Sequence, residues 1–277
     1  MPSAPPPRRN PKSIERRFLK PLRQAVQLGF FKLKIRGSEH VPKEGPVIFV
    51  ANHSGWVPLD ALFLLLAIYD TVGAERLPYL IVHDVLIKLP ITYRFLKGLG
   101  LIPSDWLHYG REPLDSELNP IAIFPEGADG NCKPFWQAYH MRQWKTGFVR
   151  LAIQRGAKVV PVAIIGGEEA LPVAATIDLL KPFLGSVAAL PLSLAPLPSY
   201  WKVYFMEPVD FAGYPAELHA DREACERIAH EVYETVQSRL QDKTWKNPLH
   251  WLSNLLDPQP VTPETIAETT TDTTNET

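Results

Sequence analysis

Three short apolar runs, each opening onto a cluster of polar and glycine residues, constrain this chain most. They are Val47 to Ala51, running into Asn52-His53-Ser54-Gly55; Ile121 to Phe124, running into Pro125-Glu126-Gly127; and Val159 to Ile165, running into Gly166-Gly167-Glu168-Glu169. Runs this short and this continuously apolar read as strands buried on both faces. Helical segments separate them: "ALFLLLAIY" after Asp60, and "TGFVRLAIQRG" before Val159, closed by a turn at Gly156. Residues 77–83 and 99–102 read as further short strands, with a helix about 91–98 between them, and a polar loop follows over about 104–119. "WKVYFMEPV" reads as a late strand and 215–241 as an amphipathic helix. Strands alternating with helices predict an α/β domain over 37–241, with a mixed, largely parallel central sheet flanked by helices.

With 45% hydrophobic residues the chain has enough apolar material for a sizeable core. Its net charge of −1 gives no global reason to bind nucleic acid, but the charge is unevenly placed. Residues 1–36 carry ten Arg and Lys, from Arg8 to Arg36, against the single acid Glu15. Residues 1–12 are rich in Pro and Arg and are expected to be disordered. Over 13–36, Ile14, Phe18, Leu22, Val26, Phe30 and Leu33 recur at helical spacing beneath a basic face. That pattern predicts an amphipathic helix suited to a membrane surface, with Pro21 kinking it or starting a second helix. Residues 242–257 are expected to form an aromatic C-terminal helix, and 258–277 a disordered acidic tail. Two distant cysteines, Cys132 and Cys225, suggest neither a disulfide framework nor a zinc site, and a reducing compartment is the default. The longest nearly uncharged apolar stretch, Ala61 to Tyr69, is far short of the ~20 residues a spanning helix needs. No secretory leader is recognised, so peripheral or monotopic association with the cytoplasmic face of a membrane is expected.

The polar clusters at the strand ends hold the candidate chemistry. In open α/β sheets ligands bind at the carboxyl ends of strands. His53 stands at one such end, and Asp60 opens the next helix. Its carboxylate could hold one imidazole nitrogen and leave the other free to accept a proton, or it could simply cap that helix. Glu126 stands at the same kind of strand end, and would share a cleft with His53 if the two strands are neighbours. Other chemistries lack their signatures. There is no G-x-S-x-G elbow, no phosphate-binding glycine loop, and no His/Cys cluster with metal-ligand spacing.

Taken together and in order, these segments resemble the glycerol-phosphate and lysophospholipid acyltransferase superfamily. The match rests on Asn52, His53 and Asp60; on Phe124-Pro125-Glu126-Gly127; on the Lys145-Thr146-Gly147 helix start; and on the strand around Pro161. The fuller pattern, "NHSGWVPLD", "GFVRLA", "GGEEALP" and "LPSYWKVYFMEPVD", is similar to the branch holding putative diacylglycerol acyltransferases and phytyl ester synthase acyltransferase domains. The resemblance implies acyl transfer from a thioester, acyl-CoA or acyl carrier protein, to a lipid hydroxyl, with no cofactor and no metal. It casts His53 as general base, oriented by Asp60. Gly55 becomes a source of oxyanion-stabilising N–H groups, with Gly127 as a second candidate. Glu126, Gly127, Lys145, Lys133 and Arg142 become substrate-binding residues. Six residues separate His53 from Asp60, against four in the best-known members. The arginines those members direct at the acceptor's phosphate are missing, and Asp129 follows Glu126-Gly127. An acid there would repel a phosphate, which points to an uncharged acceptor alcohol, although Lys133, Arg142 and Lys145 could restore the charge. Two alternatives stay open at this stage: a non-catalytic lipid binder on the same fold, and a lipid thioesterase or hydrolase.

Overall fold

A computed structural model describes residues 9–83, 96, 98–104, 119–177, 179 and 187–242. In chain order the elements are α1 (Pro11–Ile14), a π-helical turn (Glu15–Leu19), α2 (Lys20–Gln27), β1 (Phe31–Arg36), β2 (Val47–Ala51), α3 (Leu59–Val72), β3 (Tyr79–Val82), β4 (Leu101–Pro103), β5 (Ile121–Ile123), α4 (Ala128–Asn131), α5 (Gly147–Arg155), β6 (Lys158–Ile165), α6 (Gly167–Ala170), β7 (Val173–Ile177), β8 (Ala188–Pro191), β9 (Ser199–Phe205), β10 (Val209–Asp210) and α7 (Arg222–Leu240). All but Leu96 and Gly98 of the helix expected about 91–98, most of the 104–119 loop, all but Asp242 of the 242–257 segment, and the tail 258–277 lie outside the described residues.

The main sheet runs β1-β9-β6-β2-β5-β3-β4, with β10 also on β6. Strands β2, β3, β4, β5 and β6 are mutually parallel. β1 and β9 are parallel to each other and run against β6. The sheet is therefore mixed and largely parallel, as the strand–helix alternation predicts. β7 and β8 form a separate antiparallel hairpin.

The continuous apolar runs follow from burial on two faces. Val47, Phe49 and Ala51 of β2 enter a core layer shared with α3, whereas Ile48 and Val50 enter a second layer with α5 and α7. Helix α3 is apolar almost all round, from Leu59 to Ile68, because the sheet lies on one side of it and the N-terminal helices on the other.

The N-terminus departs from its sequence expectation. The helix predicted over 13–36 stops at Gln27, and Phe31–Arg36 is an edge strand. Gly29, at φ +77°, ends the helix: its N–H donates to Val26 O and the Phe30 N–H to Ala25 O, a Schellman closure. Beyond it, Phe31, Leu33 and Ile35 alternate with exposed Lys32, Lys34 and Arg36, which is strand periodicity. Pro21 sits at the start of α2, directly after the π-helical turn, where the local i→i+5 bonding accommodates its missing N–H. The apolar face of these helices is already used: Ile14, Phe18, Leu19 and Leu22 are buried in the core. Residues 9–12, expected to be disordered, are also held. The Arg9 guanidinium lies over the Tyr79 ring and donates to Leu77 O, the Asn10 N–H donates to Gly98 O, and Pro11 opens α1. The helix predicted over 215–241 comes in two pieces. A 3-10 turn, Ala216–Ala220, precedes α7, which is capped by Asp221 accepting from Ala224 N at 3.0 Å.

Candidate active site

The parallel pairing of β2 with both β5 and β6 brings the three strand ends together. Val50 lies opposite Ile123 and Ala51 opposite Val162, so the residues that follow emerge side by side. Asn52 fixes the end of β2. Its amide donates to Ile164 O at 2.9 Å and accepts from Ile164 N at 2.7 Å, extending the pairing with β6 by one side chain. The next residue, His53, is thereby aimed from a rigid edge.

The six residues between His53 and Asp60 close into direct contact. His53 Nδ1 lies 2.6 Å from Asp60 Oδ2, with Asp60 fully buried and His53 only 9% exposed. Three features turn the loop back: Gly55 at φ +78°, the Leu59 N–H donating to Val57 O, and Pro58 at the N-cap of α3. Asp60 is not that cap. It is the second residue of the helix, and it also accepts from Ser54 N at 2.8 Å and Ala61 N at 2.7 Å. A carboxylate in the first turn is favoured by the helix dipole. Because an ionised carboxylate only accepts, the contact fixes the proton on Nδ1 and leaves the Nε2 lone pair free. The imidazole is held flat by Phe124, whose ring stacks on it at 4.4 Å between centroids.

Glu126 does something the sequence did not suggest. Its carboxylate accepts from the His53 N–H at 2.8 Å, from the Arg142 N–H at 2.7 Å and from Lys133 Nζ at 3.1 Å. Both side chains of the Glu126–Lys133 pair are buried, 0% and 1% exposed. These two residues form an internal brace beneath His53, with both side chains buried. Gly130 allows this packing, because a Cβ there would lie 2.6 Å from Glu126 Cβ. Lys133 Nζ also lies 4.0 Å from Glu168, a second buried carboxylate.

The remaining candidates separate. The exposed Lys145 reaches over Gly127: its Nζ is 3.8 Å from where a side chain at Gly127 would begin. Arg142 has an exposed guanidinium bonded to Gln137 Oε1 at 2.5 Å. The Gly127 N–H is taken by Phe124 O, which removes it as an oxyanion donor. Gly55 packs against α6, a Cβ there meeting Gly167 O at 3.1 Å, and among the described residues no acceptor takes its N–H. Gly167 is equally confined, with Ser54 Oγ only 2.1 Å from its would-be Cβ. A separate cavity of about 740 Å³, lined by Arg36, His40, Tyr204, Glu207 and Arg239 among others, includes none of these residues.

Behind the brace, Glu169 pairs with the Tyr139 hydroxyl. Burial, together with Glu168 alongside, pushes the Glu169 carboxyl up to about 8 from an ordinary 4.5. Such a group holds its proton more tightly folded than unfolded. Its contribution to stability is therefore complete at low pH and is lost as pH rises from about 4.5 through about 8. Thermal melts from about pH 6 to about pH 9 should show a falling Tm that Glu169→Gln flattens. An equal slope in the variant would rule Glu169 out as the cause.

Residues 32–165 match the family model described as Acyltransferase. A Mycobacterium tuberculosis protein described as uncharacterized is 31% identical over 233 residues, covering 80% of this chain. The chain spans 64% of that relative's length. The 1-acyl-sn-glycerol-3-phosphate acyltransferase of Limnanthes douglasii is 31% identical over 141 residues, 48% of this chain and 45% of the relative. Among solved structures, the 1-acyl-sn-glycerophosphate acyltransferase PlsC of Thermotoga maritima superposes with a TM-score of 0.55 at 22% identity, covering 86% of this chain and 81% of that one. That likeness is one of fold.

Proposed function

From the premise that the chain belongs to the glycerolipid acyltransferase superfamily, we propose that it moves a fatty acyl group from a thioester to the hydroxyl of a glycerolipid or similar lipid alcohol. The donor is acyl-CoA or an acyl carrier protein. The observation that carries this reading is the buried 2.6 Å contact between His53 Nδ1 and Asp60, which orients a free Nε2 at the sheet edge.

His53 Nε2 takes the proton of the acceptor hydroxyl as its oxygen attacks the thioester carbonyl. Asp60 holds the ring and balances the imidazolium that forms. The tetrahedral oxyanion is met by backbone donors, for which the uncommitted Gly55 N–H is the candidate; one such donor contributes ~3 kcal/mol to the transition state. Collapse expels the thiolate, and the imidazolium returns the proton to it. No acyl-enzyme is required, because the thioester is already activated. Lys145, exposed beside Gly127, supplies a cation for phosphate on CoA or acceptor. With Lys133 withdrawn into the brace and Asp129 exposed on α4, the local charge supports a neutral acceptor such as monoacylglycerol or diacylglycerol.

We read the protein as peripheral to the cytoplasmic face of a membrane. Among the described residues, no helix is long and apolar enough to cross one. Exposed Arg16 and Lys20 on the N-terminal helices favour an anionic surface.

Incubating the purified chain with labelled acyl-CoA and, in turn, lysophosphatidate, monoacylglycerol, diacylglycerol or no acceptor tests the reading. Acceptor-dependent neutral ester is the expected product. Phosphatidate would overturn the neutral acceptor, free fatty acid regardless of acceptor would make the chain a thioesterase, and binding without turnover would make it a lipid carrier.

A further inference from the structure

The N-terminal helices bury their apolar face, yet the molecule keeps an apolar surface elsewhere. Residues 187–201, which hold β8, the following loop and the start of β9, contain no charged side chain. Within them Leu190, Leu192, Leu194 and Leu197 are 49%, 58%, 83% and 42% exposed. The loop is nonetheless fixed. The Leu192 N–H donates to Pro172 O and the Leu197 N–H to Ala170 O, while Trp56, on the loop that follows His53, donates from Nε1 to Ser193 O at 3.1 Å. Ordered leucines facing water over this length of chain mark an interaction surface.

The sheet topology decides where this surface lies. Because β9 runs against β6, its first residues stand beyond Ile165, at the edge from which His53 emerges: Lys202 is already opposite Ile165, and Ser199 lies three residues further out. β1 begins beside Ser199, so exposed Leu28 and Phe30 join the same edge. The charged side chains that β1 and β9 place near this edge are Lys32, Lys34 and Lys202, with Asp242 acting on Lys202. Lys34 sits directly opposite Lys202 in the β1–β9 register, with exposed Lys32 one step further out. Like charges in facing positions are unfavourable, and exposed Lys32 and Lys34 add positive charge at this edge that an anionic surface would favour. Burial and Lys34 together lower the Lys202 ammonium below its usual range.

We propose that this edge, with Leu192 and Leu194 foremost and Lys32 and Lys34 beside them, rests on a bilayer bearing anionic headgroups. The inference rests on reading His53 as part of a lipid acyl-transfer site, and it gives acyl chains a path to His53 that need not cross water. Leucines enter the headgroup–acyl boundary while the lysines meet phosphates, the division of labour seen in interfacial elements generally.

Co-sedimentation of the full chain with phosphatidylcholine vesicles, with and without phosphatidylserine, tests it. Leu192→Glu/Leu194→Glu should weaken binding to both kinds of vesicle by about tenfold or more. Lys32→Glu/Lys34→Glu should abolish only the gain from phosphatidylserine. Hydrolysis or transfer of a short, water-soluble acyl thioester should be unchanged in both variants. Wild-type vesicle binding by the leucine variant would overturn the proposal. So would a leucine variant that only dissolves a dimer in sedimentation velocity, which would make a second copy the occupant. Lost vesicle binding in a chain that never transfers acyl groups would leave the docking surface standing and remove the acyltransferase reading instead.

Discussion

A purified His53→Ala variant is expected to lose acyl transfer by about 10³-fold while remaining folded, the usual scale for removing a general base. The fold should hold because Asp60 keeps its bonds from Ser54 N and Ala61 N when the imidazole is gone. Asp60→Asn should cost nearly as much activity by a different route. An amide can donate to Nδ1, which moves the ring proton to Nε2 and blocks the lone pair that must accept from the acceptor hydroxyl. The effect should fall on kcat, with KM for the thioester little changed. Equal turnover by wild type and His53→Ala, with matched circular dichroism, would falsify the mechanism.

Glu126→Ala should have the largest effect on stability. It removes the shared acceptor of three donors at once, the N–H groups of His53 and Arg142 and the Lys133 ammonium, and leaves Lys133 only Glu168 at 4.0 Å. Breaking a buried pair by removing one partner costs about 3–5 kcal/mol. For a chain of this size that lowers Tm on the order of 10 °C. Lys133→Met removes the charge and keeps the stem, leaving Glu126 with two N–H donors, so a smaller loss is expected. If Glu126 instead met the acceptor, Glu126→Ala would raise KM for the acceptor and leave Tm alone. Melting curves and acceptor titrations on the two variants decide between brace and binding residue.

The sheet was largely legible because its signals are local. Runs of four to eight apolar residues closed by Gly, Pro or polar clusters mark β2, β5 and β6 whatever the rest of the chain does. The same clusters named the site's edge, since His53 and Glu126 each follow such a run. The segment from Phe31 to Arg36 is ambiguous in the sequence for a physical reason: Phe30 and Leu33 fit a helical repeat as well as a strand alternation, and only the closure at Gly29 separates the two. Phe124 and Asn52 belong to recognisable motifs, but stacking on an imidazole and pairing with the backbone of Ile164 are contacts across strands far apart in sequence.

By itself, the sequence determined which strands are buried, which polar clusters close them, and that His53 and Asp60 were candidates to meet. These depend on periodicity and on loop reach, both properties of a short stretch of chain. Tertiary structure alone decided what each apolar or charged face touches. Amphipathic spacing shows that Ile14, Phe18 and Leu22 share a face; packing against α3, not a membrane, is what covers it. Composition shows a glutamate and a lysine near the site. Burial turns them inward into a brace and leaves the uncharged 187–201 segment, silent in the hydrophobic pattern, facing out beside His53.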